Sequence, residues 1–471
     1  MQILDKNLSK KAWAGGVIEP AKEFGLTQLP IISGQIPQGL RGTLYRNGPA
    51  RLERGGVRTG HWFDGDGAIL AVNFNYTGAS AVYRYVQTTG YQEESTSGKF
   101  LYGNYGMTAP GPVWNQWRKP VKNAANTSVL ALPDKLLALW EGGKPYALDL
   151  QTLETWGEDD LGGLTDGLPY SAHCKQDPQT KEIFNFGISV GLNGKLNVYK
   201  SDSTGRIVHK AAFPIDGLPL LHDFVLAGQY LVFFIPPVRL NMFPVLLGTG
   251  NYSDSMQWQP ELGTQILVID RDTLSLVSRG ETEPWYQWHF ANGYVDSNGA
   301  AIVDIARYED FQTNQYLKEV ATGKTQTSAK SSFSRVSLNP QTAKVTAIEQ
   351  ILDRHCEFPN VPAPNVGQAS RYTYMSGFRQ GTDISQEILN TIARFDHKTD
   401  TLTEAYPGEN RYPSEPIPVE DWVLTVVYDG NSHSSEVWVY DSDRLDQEPV
   451  CQLQLPSVIP HSFHGTWKPM K

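Results

Sequence analysis

The chain has 471 residues, enough for two average domains, and its formal net charge is -10. Its 40 Lys and Arg residues are dispersed, which excludes the basic stripe that a nucleic-acid-binding protein needs. The 3 cysteines are far apart and form no C-x-x-C pair, so any bound metal must rely on nitrogen or oxygen ligands.

Strand and turn residues dominate the composition, with 43 Gly, 30 Pro and 11% aromatic residues. This composition predicts an all-β protein. Residues 1–16 have neither the apolar stretch nor the cleavage site of a signal peptide, and no run of about 18 apolar residues occurs. We therefore expect a soluble, cytoplasmic protein.

A hairpin pattern recurs along the chain, in which an apolar-alternating strand meets a short polar turn and a second strand follows. In chain order, the pattern covers residues 68–86, 146–156, 197–210, 266–278, 333–348, 392–406 and 437–455. Antiparallel units repeated over a whole chain predict a propeller, since radial repetition leaves few exposed sheet edges. Seven hairpins indicate seven blades, with a large sandwich or two β domains as the alternative. No composition break marks a linker, so a single domain over 1–471 is expected.

Four of the 10 histidines follow aromatic, apolar or small residues. Such surroundings are typical of strand positions whose side chains face inward. The four histidines are His173, His222, His289 and His464. Sequence spacing does not bring them together, but the inner strands of different propeller blades face one axis.

Ten short stretches give the chain a family resemblance. They lie at residues 34–50, 61–69, 123–132, 136–149, 171–178, 220–228, 289–294, 356–362, 412–416 and 463–467. Together they resemble the carotenoid cleavage oxygenases, and they occur in the order typical of that family. The resemblance implies an all-β, seven-bladed β-propeller with loops and short helices forming a dome over an iron-bearing axis.

The same resemblance implies that His173, His222, His289 and His464 hold one Fe(II). Glu141, Glu357 and Glu415 match residues that accept the Nδ1–H of His222, His289 and His464 respectively. A carboxylate in this position fixes the tautomer, aims the ring and raises its basicity. Without the motifs, each glutamate would be interpreted as a solvated surface charge. Thr127 matches a position whose methyl group crowds one of the open metal positions.

The implied reaction is oxidative cleavage of a carbon–carbon double bond in a carotenoid or apocarotenoid, with molecular oxygen as co-substrate and two carbonyl products. No dinucleotide or P-loop motif occurs, so the polyene is expected to supply the electrons itself. The alternatives are a stilbene-cleaving dioxygenase, a retinoid isomerase, and a propeller that only binds carotenoid. No obligate protein partner is expected.

The stretch HWFDGDG at residues 61–67 could suggest a calcium site, but the remaining ligands of an EF-hand loop are missing. We interpret it as a structural strand and turn that contains His61. His461 is the nearest competitor to His464. Surface or outer-layer roles are expected for His209, His355, His397 and His433.

Two apolar segments, 106–120 and 233–247, contain prolines, which are expected to discourage regular structure there. They could form the apolar mouth that reaches a membrane, as an enzyme acting on lipid-soluble carotenoids needs. The alternative is that they pack inside the protein as a lid. A further feature is the short segment after Glu415, where the family usually has a longer acidic loop.

Overall fold

The computed structural model describes residues 11–119, 121–190 and 194–470. The first ten residues, part of the segment for which no signal peptide is expected, lie outside these ranges, as does Pro120 of the segment 106–120. Strands dominate the described chain, and the fold is all-β and propeller-like.

Successive sheets follow the chain, and the strands of each are given in their order across the sheet. The first sheet contains Phe24–Gln28, Gly78–Tyr85, Asp66–Asn75, Gly42–Arg51 and Gly465–Pro469. The second contains Thr155–Glu158, Tyr146–Leu148, Leu136–Leu139 and Ser128–Ala131. The third contains Lys175–Gln176, Ile183–Ser189, Gly194–Ser201 and Ile207–Ile215.

The fourth sheet is twice as wide as its neighbours. It contains Leu276–Thr282, Thr264–Asp270, Tyr230–Ile235, Val225–Ala227, Tyr286–Val295, Ala301–Tyr308, Ser331–Asn339 and Lys344–Leu352. The fifth contains Cys356–Asn360, Tyr372–Gly377, Thr391–Asp396 and Thr401–Ala405. The sixth contains Ile31–Gly34, Cys451–Gln454, Ser434–Asp441, Trp422–Asp429 and Arg411–Pro413, with Ile417–Val419 also paired to Trp422–Asp429.

The remaining elements are short. Two small ribbons pair Val238–Leu240 with Met256–Trp258 and Glu53–Arg54 with Val57–Arg58. The α-helices are Gly15–Ile18, Thr89–Ser97, Asn115–Arg118, Met242–Leu246, Tyr252–Ser255 and Gln312–Val320. The 3-10 helices are Ala12–Ala14, Trp62–Asp64, Pro260–Leu262, Ala363–Asn365 and Ser442–Arg444.

All seven predicted hairpins are confirmed as antiparallel strand pairs. A local signal shared by several of these turns is an Asp or Asn whose side chain accepts backbone N–H groups two or three residues later. Asp149 and Asp270 each accept two such bonds, and a nearby residue, Leu153 or Leu274, then adopts a positive φ. This geometry closes a short loop with a bulge, so the turn chemistry sets each hairpin's register.

The two ends of the chain close the arrangement. Ile31–Gly34 pairs with Cys451–Gln454, and Gly465–Pro469 pairs with Gly42–Arg51. Each sheet packs on the next through a buried apolar cluster, and the first packs on the last through Leu44, Val437 and their neighbours. Burying each large apolar side chain contributes about 1.5–3 kcal/mol, so these layers hold the sheets around a common axis.

Candidate metal centre

The four histidines lie at or beside inner strands of different parts of the fold. His173 and His222 lie just before Lys175–Gln176 and Val225–Ala227. His289 lies within Tyr286–Val295, and His464 immediately precedes Gly465–Pro469. All four are buried, and one ring nitrogen from each lies within 4.8 Å of the others.

The rings converge through their Nε2 atoms. The Nε2 atoms of His173 and His222 are 2.9 Å apart, and those of His289 and His464 are 3.1 Å apart. Such close approach of ring nitrogens, with no carboxylate between them, leaves their lone pairs directed at one point. Imidazole nitrogens of this kind suit a divalent transition metal such as iron, zinc, copper or nickel.

Glu357 orients the ring of His289. The Nδ1 of His289 donates to Glu357 Oε2 at 2.5 Å, while Tyr308 donates its hydroxyl to Oε1 at 2.7 Å. The backbone N–H of Phe358 completes the set at 3.1 Å. Because Nδ1 carries the proton, the Nε2 lone pair of His289 remains free for a metal.

Glu415 orients His464 in the same way. The Nδ1 of His464 donates to Glu415 Oε1 at 3.0 Å, and the N–H of Gly465 donates to Oε2 at 2.8 Å. The guanidinium of Arg46 lies 3.8 Å from Oε2 and donates to the Glu415 carbonyl at 2.9 Å. The short segment after Glu415 forms the strand Ile417–Val419, which pairs directly with Trp422–Asp429. The contacts of Glu415 therefore form without a longer acidic loop.

Glu141 approaches His222 less closely. Its Oε1 lies 3.2 Å from the Nδ1 of His222, and 31% of its side chain is exposed against 8% for Glu357. Among the described residues His173 pairs with no carboxylate, and its backbone N–H donates to Ser171 Oγ at 3.2 Å. The three glutamates therefore support their histidines to different degrees.

At His173 and His289, burial favours the neutral imidazole. Burial, reinforced by the three neighbouring rings, lowers the pKa of His173 well below its usual value. Burial also lowers the pKa of His289 despite the opposing Glu357 carboxylate. Although burial opposes it, pairing with His289 and Tyr308 holds the pKa of Glu357 below its usual value.

His222 differs from these two rings. Burial alone would lower its pKa, but Glu141 and other carboxylates outweigh burial and hold the pKa of His222 above its usual value. The pKa of Glu415 is lowered despite burial, because His464 and Arg46 stabilise the carboxylate.

Two cavities reach the histidines from different sides. A cavity of about 470 Å³ borders His173, His289 and His464 and includes Lys175 and Asp223 in its wall. A second cavity, of about 100 Å³, borders His222, His289 and His464 and is walled mainly by apolar and aromatic side chains. These include Trp62, Phe63, Trp288, Leu317, Phe358 and Phe463.

The wall of the second cavity is formed in part by short helices. Phe63 belongs to Trp62–Asp64 and Leu317 to Gln312–Val320. Thr127 lines the same cavity, its hydroxyl donating to Asn126 Oδ1 at 3.1 Å.

In the stretch HWFDGDG, the turn is a 3-10 helix, Trp62–Asp64, capped by His61, and the strand Asp66–Asn75 follows it. Asp66 pairs with Arg54 at 2.9 Å and with Lys122 at 2.8 Å. These two cations compensate the negative charge that a calcium ion would have needed. His61 contacts Phe63 and lies outside the four-histidine group.

The other histidines are also separate from that group. The Nε2 of His461 lies 2.9 Å from the Trp13 carbonyl. His209 and His433 are exposed, and His355 and His397 are half-buried.

The segments expected to reach a membrane expose part of their apolar surface. Val113, Trp114, Trp117, Phe243, Leu246 and Leu247 are exposed, and we call them the apolar patch. Trp117 Nε1 donates to the Leu246 carbonyl at 2.8 Å, which ties the two segments together.

The expectation that prolines keep 233–247 irregular is wrong. Its start belongs to the buried strand Tyr230–Ile235, and Met242–Leu246 is helical because Asn241 caps its first turn. No helix in the described parts of the chain is long and apolar enough to cross a bilayer.

Sequence reasoning missed Tyr308, Arg46 and Asp223. Tyr308 lies in an ordinary strand pattern and reaches Glu357 only through tertiary packing. Arg46 lies within the matched stretch 34–50, so its contact with Glu415 had a sequence signal that was not used.

The chain is similar to known proteins over almost its whole length. The family described as "Retinal pigment epithelial membrane protein" matches residues 18–469. The apocarotenoid-15,15'-oxygenase of Synechocystis sp. is 31% identical over 98% of this chain and 97% of its own length. Resveratrol cleavage oxygenase 1 of Aspergillus fumigatus is 28% identical, over 96% and 94% respectively. The crystal structure of cobalt-substituted Synechocystis ACO superposes with a TM-score of 0.88 at 30% identity, covering 98% of both chains.

Proposed function

Because the chain belongs to the retinal pigment epithelial membrane protein family of carotenoid oxygenases, we propose that it uses iron(II) to cleave one carbon–carbon double bond of a carotenoid or apocarotenoid. The observation that carries the proposal is the convergence of four buried imidazoles beside an aromatic-walled cavity. The products would be two carbonyl compounds, each receiving one atom of dioxygen.

His173, His222, His289 and His464 are the proposed ligands of the ion. Their donor set fits iron(II), since all four offer an imidazole nitrogen, a ligand type that suits iron. When bound, the iron would supply the redox chemistry that activates dioxygen. The solved Synechocystis relative is described as cobalt-substituted, which supports metal binding in this family.

The protein's own residues would chiefly bind and orient. Phe63, Trp288 and Phe463 offer flat apolar surfaces to a rigid polyene, with Phe63 and Trp288 ring centres 5.3 Å apart. Excluding water and presenting one double bond to the histidines would be the main contributions of these side chains. We propose that the methyl group of Thr127 restricts the space beside the histidines.

Glu357, Glu415 and Glu141 would keep the histidine protons on Nδ1. Their negative charge would offset the iron charge that four neutral ligands leave uncompensated. The hydroxyl of Tyr308 remains protonated, because burial raises its pKa well above the usual value, and so it continues to donate to Glu357.

Product analysis tests the proposal. The iron-loaded protein is incubated under ¹⁸O₂ with carotenoids, apocarotenals and stilbenes, and products are identified by mass spectrometry. Two labelled carbonyl products from a polyene are expected. Conversion without oxygen incorporation would instead indicate isomerisation, and binding without conversion would indicate a carrier.

A stilbene is the second candidate substrate, because the Aspergillus fumigatus relative is a resveratrol cleavage oxygenase that matches almost the whole chain. Faster turnover of resveratrol than of every polyene in the same panel would favour it.

We also propose seven blades within a single domain. The eight-stranded sheet supports this count, because its two halves share only the parallel pair Ala227↔Gly293. Apolar clusters between successive four-stranded units, including one between these two halves, support it as well. Peripheral membrane contact through the apolar patch is a further proposal, since a lipid-soluble substrate must enter from a bilayer or a carrier.

A further inference from the structure

Asp223 is a buried carboxylate that directly follows His222. Its side chain is 1% exposed. Its Oδ1 accepts the N–H of Phe224 at 2.8 Å, and its Oδ2 accepts the N–H of Phe290 at 3.0 Å. The ammonium group of Lys175 lies 2.8 Å from Oδ1, so three donors surround one charge.

Two of these donors, Lys175 and the N–H of Phe290, belong to other histidine-bearing segments. Lys175 lies two residues after His173, and Phe290 directly follows His289. One carboxylate therefore contacts the backbone or side chain of three of the four segments that carry the converging imidazoles.

Few sheet hydrogen bonds connect the segments that carry His222 and His289 in this region. The strands Val225–Ala227 and Tyr286–Val295 pair only at Ala227↔Gly293, beyond the histidines. The pairing of Tyr286–Val295 with its other neighbour shifts register on both sides of Phe290. Sheet hydrogen bonds alone do not fix the distance between His222 and His289, and Asp223 bridges that gap.

We propose that Asp223 is a positioning residue that holds the segments of His173, His222 and His289 at the spacing a single metal ion requires. The inference rests on the proposed function, because it presumes a metal at the four histidines. Asp223 is not offered as a ligand, since both of its oxygens already accept bonds from Phe224, Phe290 and Lys175.

The test variant is Asp223→Asn, which keeps the shape but removes the charge and one acceptor. A matched control is Asp177→Asn. Asp177 is also buried, accepts two backbone N–H groups at 2.8 Å and 2.7 Å, and pairs with Arg271 at 2.6 Å. The two backbone N–H groups belong to the same hairpin turn as Asp177, and Arg271 lies outside the histidine-bearing segments. Removing the charge of Asp177 should therefore not alter the spacing of those segments.

Cobalt(II) is the probe, because its visible absorption reports ligand geometry independently of turnover. Each apoprotein is titrated with cobalt(II) against a competing chelator, and its thermal unfolding is recorded. For Asp223→Asn we expect a dissociation constant about 10-fold higher and a changed spectrum. Asp177→Asn should keep the wild-type spectrum and affinity even if its unfolding temperature falls.

Lys175→Met provides a second variant should Asp223→Asn fail to fold, and it should raise the dissociation constant in the same direction. Wild-type spectra and affinity in both Asp223→Asn and Lys175→Met would overturn the inference while leaving the metal site intact. An equal loss in Asp177→Asn would also overturn it. A wild-type protein that binds no cobalt(II) would overturn the proposed function instead.

Discussion

Glu357 and Glu141 offer a direct comparison of two carboxylates that face histidines in different surroundings. Glu357 accepts three hydrogen bonds and is nearly buried, whereas Glu141 lies 3.2 Å from its histidine with 31% of its side chain exposed. We consider Glu357→Gln and Glu141→Gln, which retain shape and remove charge. The structure predicts that the first variant loses much more metal affinity than the second.

The magnitude follows from the type of hydrogen bond. A hydrogen bond to a charged group contributes about 1.5–3 kcal/mol and a neutral one about 0.5–1.5 kcal/mol. Losing the charge of Glu357 should therefore cost about 1.4 kcal/mol, or about 10-fold in the metal dissociation constant. Glu141 lies 3.2 Å from its histidine and its side chain is more exposed than that of Glu357, so its contribution should be smaller, about 0.5 kcal/mol, or about 2-fold.

The assay is an anaerobic titration with Fe(II) against a chromophoric chelator. Glu349→Gln is the control, since Glu349 is an exposed glutamate on the outer strand Lys344–Leu352. Wild-type affinity in Glu357→Gln would refute the reasoning. So would a loss in Glu141→Gln as large as that in Glu357→Gln.

Three further predictions follow from individual contacts. Tyr308→Phe removes one donor from Glu357 and should raise the Fe(II) dissociation constant by about 3- to 10-fold in the same titration; an unchanged constant would contradict that role. Burial lowers the pKa of His461 to about 4 against 6.5 for an ordinary histidine, so its contribution to folding is present above pH 6.5 and is lost as the pH falls. In urea unfolding between pH 7 and pH 5, wild type should lose about 2 kcal/mol more than His461→Asn, and equal losses would argue against the assignment. Wild-type protein should sediment with liposomes, and a variant carrying Phe243→Asp and Leu246→Asp should not; equal sedimentation would reject membrane contact through the apolar patch.

The hairpins could be predicted from sequence because their signal is local. Alternating strands on either side of an Asp-x-x-Thr turn, as at Asp149 and Asp270, determine both the turn and its register within a few residues. The exception was the segment 233–247, where prolines suggested irregular chain. There Asn241 caps a helix and the preceding strand is buried among its neighbours.

The candidate site was predictable only through motifs that bring distant residues into one pattern. The structure places the four histidines together and puts Glu357 and Glu415 within hydrogen-bonding distance of theirs. Tyr308 escaped prediction because its partner is distant in sequence and is set by how strands pack. Asp223, like Arg46, lies within a matched stretch whose signal was not used. A tyrosine in a regular strand looks the same whether its hydroxyl meets solvent or Glu357.

The iron content per chain, measured in wild-type protein and in variants of the four histidines, tests the central proposal most directly. Wild-type protein reconstituted anaerobically with Fe(II) should hold one iron per chain. Separate His173→Ala, His222→Ala, His289→Ala and His464→Ala variants, each folded as judged by circular dichroism, should hold little or none and should not turn over substrate. Full iron content in those variants would contradict the account.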